Sequence, residues 1–314
     1  MGLDAKANAI MRKNTEQPGF GGVWVEYDPP RLVVATTDGK FDTASASATN
    51  VEVRQVRKDL NTLKNQSREI FLDFRRSSSA AISVGINARE NRIDVEGNDD
   101  VVRYIDSLGK PASEVTRTKK EIKGANVQGG EHNNGADLCT NGFSVRNSLG
   151  TNLVSTAGHC PWADTVEKTN GGTESVSAWS EMCDIDSQVL RPGTGVSDGL
   201  VRNNVIKGWT DQLAPSTYVY SYGRTTGWRY GGAGDLSFFA LSGSGECVGF
   251  NYNGRKASNA FGGNIDFQPG DSGGPLFTSC GCGGFYAVGM ISDVAEDYIL
   301  ATDLLNHGFS FATA

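Results

Sequence analysis

The chain has 314 residues and a formal net charge of −7. That length exceeds what one hydrophobic core usually organises, so two domains are expected. The acidic balance, without a Lys/Arg stripe interleaved with aromatics, argues against a nucleic-acid partner, and no apolar run is long enough to cross a bilayer as a helix, so no membrane partner is expected.

Charge and cysteine divide the chain unevenly. Residues 1–124 hold 20 Lys+Arg against 18 Asp+Glu, a net +2, whereas residues 125–314 hold 9 against 18, a net −9. All six cysteines, Cys139, Cys160, Cys183, Cys247, Cys280 and Cys282, fall in the second part. An even count in a Gly-rich, Lys-poor stretch points to disulfides and an oxidising compartment, so secretion is expected although residues 1–12 carry no signal-peptide core.

In chain order, residues 1–19 read as an N-terminal segment and 20–110 as a small α+β unit. Residues 23–27 and 32–36 are short β-rich runs separated by the turn signal Asp28-Pro29-Pro30. Val51 and Val53 alternate with charges as an edge-like strand. Val56, Leu60, Leu63, Ile70 and Phe74 fall mostly on one helical face, predicting a helix over 58–74. Residues 82–86 and 92–96 form a predicted hairpin. Asp99 and Asp100 open a second helix, acidic where the helix dipole favours it, and Gly109-Lys110-Pro111 ends it. Residues 111–124 are polar and basic and read as a linker or processing region. Beyond it, short β runs broken by Gly, Asn and Ser predict an all-β barrel or sandwich over 125–314.

The chemistry sits in Gly270-Asp271-Ser272-Gly273-Gly274-Pro275. Its glycines let the backbone turn sharply and approach a substrate, and the N–H groups of Gly270 and Ser272 can converge on an oxyanion formed when Ser272 attacks an acyl carbon. A serine hydroxyl needs a base, and the base needs an orienting acid. Of the three histidines, His132, His159 and His307, His159 follows an apolar run that ends in small residues. Downstream, Asp184 and Asp186 compete for the acid. Asp186 precedes Ser-Gln-Val-Leu, polar then apolar, as if heading a strand into a core, and it is the chosen partner. The loop also matches the Gly-x-Ser-x-Gly pattern of α/β-hydrolases, with His307 and Asp297 or Asp303 in the required order. That reading needs a helix straight after the serine, and Leu-Phe-Thr-Ser-Cys-Gly-Cys-Gly-Gly cannot supply one. The order His159, Asp186, Ser272 is that of chymotrypsin-like proteases.

Residues 125–314 resemble the bacterial chymotrypsin-like proteases of the α-lytic protease and streptogrisin group. The resemblance is carried by Ala125-Asn126-Val127-Gln128-Gly129-Gly130, Cys139-Thr140-Asn141-Gly142-Phe143, Thr156-Ala157-Gly158-His159-Cys160, Ser221-Tyr222-Gly223-Arg224-Thr225-Thr226-Gly227-Trp228 and residues 304–311. Residues 20–110 are similar to that family's pro-region, through Phe20-Gly21-Gly22-Val23-Trp24-Val25 and Asn91-Arg92-Ile93-Asp94-Val95. The resemblance implies a mainly β fold of two six-stranded antiparallel barrels behind a small α+β pro-domain. It further implies a secreted serine endopeptidase made as a pro-enzyme and matured near Gly124/Ala125. It pairs Cys139 with Cys160, puts a terminal helix and final strand at 304–311, and calls for no cofactor and no metal. Expected partners are protein or peptide substrates and the chain's own pro-domain, with the protein a monomer. The competing reading is a catalytically silent, protease-like binding protein.

The departures from that family are specific. Its arginine facing the aspartate before the nucleophile aligns with Ser221, so Asp271 needs another cation, either Arg224 or the new α-amino group. Asp266 replaces a cysteine where the base of the primary specificity pocket falls; it either selects Arg or Lys there or turns to solvent. Ser292 is expected on the strand that pairs with extended substrate. Cys183, Cys247, Cys280 and Cys282 allow three pairings, and Cys280-Gly281-Cys282 reads as disulfide or free thiol rather than metal site.

Overall fold

A computed structural model describes residues 3–42, 50–120, 139–160, 165–167, 173–192, 200–201, 204–210, 213–215, 217–241, 247, 250–258 and 263–313. His132, the 125–130 motif and the Gly124/Ala125 boundary lie outside the described residues.

The N-terminal part begins with α1 (Leu3–Asn14), followed by β1 (Phe20–Tyr27), β2 (Pro30–Thr36) and β3 (Val51–Gln55). β1 and β2 pair antiparallel, β2 and β3 parallel. Helix α2 (Leu60–Ser77) matches the predicted 58–74 periodicity and buries Leu60, Leu63, Ile70, Phe71 and Phe74. Its N-cap, Asp59, accepts from Thr62 N at 2.8 Å and from Gly19 N at 3.1 Å, which ties the helix start to the β1 entry. The predicted hairpin is β4 (Ile82–Asn87) with β5 (Arg92–Gly97). Helix α3 (Asp99–Ser107) is capped by the Asn98 side chain. β6 (Val115–Lys119) then pairs parallel to β5.

Two features differ from expectation. Residues 1–19 contain α1, whose Ala7, Ile10 and Met11 join one core with α2, α3, β4 and β5. The segment read as a linker contains β6, anchored by buried Val115 opposite Ile93. Beyond that one apolar anchor, the polar, basic run is held by Thr116 on Asp94, Arg117 on Asp106 and Lys119 on Asp99.

The second part is mainly β, as expected. Its elements are β7 (Ser144–Arg146), β8 (Asn152–Ala157), β9 (Thr165–Glu167), β10 (Thr173–Met182), β11 (Ser187–Pro192), β12 (Leu200–Val201), β13 (Asn204–Trp209), β14 (Tyr218–Gly223), β15 (Gly227–Ala240), β16 (Tyr252–Ser258), β17 (Pro275–Ser279), β18 (Phe285–Ile291), β19 (Asp297–Leu300), α4 (Ala301–Asn306) and β20 (Ser310–Phe311). Strands β20-β7-β8-β11-β10-β9 make a six-stranded antiparallel sheet. Strands β14, β17, β18, β19, β16 and β15 close into a six-stranded antiparallel barrel. Closure removes free edges and buries Phe267, Leu276, Val288, Ile291 and Tyr298.

The two parts share a sheet. β15 is long enough to pair with β16 on one side and with β4 on the other, from Ser237↔Gly85 to Ala240↔Ile82. Phe238 and Ala240 of β15 thereby enter the N-terminal core. Beside this seam, Lys120 Nζ lies 3.0 Å from Glu296 and Lys256 Nζ 2.5 Å from Glu96. Ala81 packs on Ala295, and both are buried.

Candidate active site

β8 ends at Ala157, and the turn Gly158-His159-Cys160 follows. Two devices hold that turn. A disulfide joins Cys160 to Cys139, and the Gln188 amide of β11 donates to the carbonyls of Ala157 and Cys160 at 3.0 and 2.8 Å. Asp186 stands immediately before β11, which pairs antiparallel with β8, so the histidine turn and the aspartate fall at the same end of one strand pair. Cys183, three residues earlier, is bonded to Cys247.

The Asp186 carboxylate faces the imidazole. The His159 backbone N–H donates to Oδ1 at 2.9 Å, and Nδ1 lies 2.9 and 3.0 Å from Oδ1 and Oδ2. A carboxylate only accepts, so Nδ1 carries the hydrogen and Nε2 is left as an acceptor. Nε2 is 2.8 Å from Ser272 Oγ. All three residues are fully buried. A serine hydroxyl beside one imidazole nitrogen, with the other nitrogen fixed by a buried carboxylate, is the arrangement in which an imidazole can take the proton of an attacking serine.

The loop around Ser272 is built by close approach. Gly273 has φ +83°, and a Cβ there would lie 2.1 Å from Thr156 Oγ1 and 2.4 Å from the Thr140 carbonyl. Thr140, beside Cys139, clamps the loop: its N–H donates to the Ser272 carbonyl at 2.7 Å and its hydroxyl to the Gly270 carbonyl at 2.8 Å. The N–H groups of Asp271, Gly273 and Gly274 are consumed by Gln268, Ile291 and Asp271 carbonyls. Among the described residues, no acceptor pairs with the N–H of Gly270 or Ser272, the two expected to receive an oxyanion.

Asp271 was expected to need a cation. Instead its buried carboxylate accepts from four neutral donors, Thr225 N at 2.9 Å, Thr226 N at 3.1 Å, the Thr226 hydroxyl at 2.8 Å and Gln268 N at 2.9 Å. Such a cradle satisfies the acceptor capacity of the carboxylate with uncharged groups. Asp266 is exposed between buried Ile265 and Phe267. Both apolar neighbours face the barrel core, and alternation turns Asp266 outward, which is the solvent placement of the two alternatives that the sequence left open. His307 does not approach Ser272: its Nδ1 lies 2.9 Å from the Asp303 carbonyl and its Nε2 2.9 Å from Asp184 Oδ2, which removes the α/β-hydrolase arrangement and gives Asp184 a partner.

Ser292 lies at the site, with a role the sequence did not reveal. Its carbonyl lies 3.2 Å from Ser272 Oγ, a second acceptor that competes with His159 Nε2 for the one hydroxyl hydrogen, and its own hydroxyl donates to Asp186 Oδ2. Thr140, Gln188 and the Thr225-Thr226 pair were also missed as supports; all lie inside or beside motifs singled out from the sequence, but only the fold shows what they bond. The carboxylate and sulfur atoms of Glu181, Cys183 and Cys247 cluster within 4.8 Å. Cys183 and Cys247 are bonded to each other, so they offer no thiolate to a metal.

One closed six-stranded antiparallel barrel beside a six-stranded antiparallel sheet is consistent with a chymotrypsin-like double-barrel fold; among the described residues the pairings close only the second of the two expected barrels. In structure, the chain is similar to the Nocardiopsis protease NAPase (21% identity, TM-score 0.40, 56% of this chain and 93% of that one). It is also similar to Thermobifida fusca protease A (20%, 0.37, 56% and 92%) and to Cellulomonas bogoriensis chymotrypsin (23%, 0.39, 56% and 91%). No family model matches the chain, and no curated protein matches it.

Proposed function

We propose that residues 125–314 are a secreted serine endopeptidase and that residues 1–124 are its pro-domain. The carrying observation is the 2.8 Å contact between Ser272 Oγ and His159 Nε2, with Asp186 on the far side of the ring. Ser272 Oγ attacks the scissile carbonyl carbon while His159 Nε2 takes its proton. The imidazolium so formed is stabilised by Asp186. The oxyanion of the tetrahedral intermediate is met by the Gly270 and Ser272 N–H groups. His159 then gives the proton to the leaving amine, the C–N bond breaks, and an acyl ester remains on Ser272. Water, deprotonated by His159, hydrolyses that ester and restores the serine.

The pro-domain reading is supported by the β4–β15 pairing and by the Lys120–Glu296 and Lys256–Glu96 contacts. Three disulfides support secretion. The test is hydrolysis of a panel of fluorogenic peptides by the matured chain and by its Ser272→Ala and His159→Ala forms, with mass spectrometry of the N-terminus. Activity in the parent, lost in both variants, with a new N-terminus near Ala125, is the expected result. Hydrolysis that survives His159→Ala sinks the assignment.

A further inference from the structure

The hairpin β17–β18 turns through Cys280-Gly281-Cys282-Gly283-Gly284, and its two cysteines are bonded to each other. This bond differs in kind from the other two. Cys139–Cys160 and Cys183–Cys247 span 21 and 64 residues and brace the His159 turn and the Asp186 segment. Stabilisation by a cross-link grows with the loop it closes. Cys280–Cys282 spans 2 residues and encloses a single glycine, so it restricts the unfolded chain very little. The turn does not need it either. Register is already set by β17–β18 pairing from Pro275↔Met290 to Ser279↔Phe285, and the Cys280 N–H donates to the Gly284 carbonyl at 3.1 Å.

What the bond has is access and a prepared leaving group. Gly281, Cys282 and Gly283 are exposed, whereas Cys160 and Cys247 are buried. A Cβ built on Gly281 or Gly283 meets nothing within 4 Å, so no other segment packs on either glycine that flanks Cys282. The Cys282 N–H points at Cys280 Sγ, 3.0 Å away. An N–H aimed at a sulfur favours the thiolate, and a stabilised thiolate leaves faster.

We propose that Cys280–Cys282 is a second reactive site, a thiol–disulfide exchange centre that oxidises small thiols or pairs of protein cysteines. A substrate thiolate attacks Cys282 Sγ; the Cys280–Cys282 bond breaks, and its electron pair leaves on Cys280 as a thiolate held by the Cys282 N–H. A second substrate thiolate then attacks the substrate sulfur of the mixed disulfide and releases Cys282 as a thiolate. In sum, two substrate thiols become one disulfide, and the protein disulfide becomes a dithiol after taking up two protons. A disulfide of the surrounding medium, such as oxidised glutathione, reverses the process and resets the site. None of these steps uses Ser272, so this inference stands apart from the hydrolytic reading.

The test uses the full chain with Ser272→Ala, which separates exchange from any self-cleavage. The chain is equilibrated in graded reduced and oxidised glutathione, alkylated with iodoacetamide and mapped by mass spectrometry. Cys280 and Cys282 should become alkylated at a reduced glutathione level roughly tenfold or more below that needed for the other four cysteines. Mixed with a reduced two-cysteine peptide, the same chain should form about one peptide disulfide per chain, and the Cys280→Ser/Cys282→Ser form should form none above buffer. Reduction of Cys139–Cys160 or Cys183–Cys247 first, or equal peptide oxidation by the serine form, overturns the proposal.

Discussion

Ser292→Ala separates two ways in which Ser292 can serve the site. The Asp186 carboxylate is fully buried and accepts three donors: the His159 backbone N–H, His159 Nδ1–H and the Ser292 hydroxyl. The variant deletes the last and keeps the Ser292 carbonyl, which lies 3.2 Å from Ser272 Oγ. A hydrogen bond to a charged acceptor contributes about 1.5–3 kcal/mol. If that support is felt when His159 becomes an imidazolium, kcat falls by about 10- to 150-fold, since about 1.4 kcal/mol is a factor of ten. KM should stay within about twofold, because the deleted hydroxyl faces Asp186 and the backbone available to substrate is unchanged. Steady-state kinetics on a fluorogenic peptide, with circular dichroism to verify the fold, measures both quantities. An unchanged kcat with a raised KM would refute the reasoning and return Ser292 to a purely substrate-binding role.

Further outcomes follow from the same structure. Gly273→Ala puts a methyl 2.1 Å from Thr156 Oγ1 on a backbone at φ +83°, and should cost more than about 2 kcal/mol and abolish turnover, read by urea unfolding and activity. Burial, reinforced by Asp297, pushes the Asp293 carboxyl well above the usual range, so the folded chain holds its proton more tightly than the unfolded one. That contribution is present in acid and lost as pH rises through the raised value; Asp293→Asn should therefore unfold at higher urea than the parent near pH 8 and alike near pH 3.5. His307 is raised above its ordinary value by its bond to the Asp303 carbonyl and then by Asp184. The Asp184–His307 pair contributes below the ordinary histidine value and fades as pH climbs through the raised one. With Asp184 68% exposed, the effect stays under about 1 kcal/mol. Urea midpoints of the parent relative to His307→Ala should narrow between about pH 5.5 and about pH 8.5.

Local signals were legible in the sequence where local physics decides the outcome. The face made by Leu60, Leu63, Ile70 and Phe74 gave α2, and the two β-rich runs around residues 87–91 gave the β4–β5 hairpin. His159 and Ser272 were readable as candidates because each sits among small residues next to a strand, and Asp186 because a polar-then-apolar run follows it. Partnerships at long range were not readable. Nothing near Ser237 announces that β15 pairs with β4, about 150 residues earlier in the chain. Asp271 looked short of a cation because a counter-charge is visible in sequence, whereas a cradle of Thr225, Thr226 and Gln268 donors exists only once β14 and β15 turn over the nucleophile loop. For Asp266 the sequence left pocket and solvent placements open, and the core placement of Ile265 and Phe267 on either side of it goes with the exposed one.

The central claim, that Ser272 is activated by His159 and Asp186, is tested most directly by covalent labelling with a fluorophosphonate. The matured chain should take up one label, mapped to Ser272, and His159→Ala should label slower by several orders of magnitude. A matured, folded chain in which Ser272 stays unlabelled would contradict the account and leave the protease-like binding protein as the better reading.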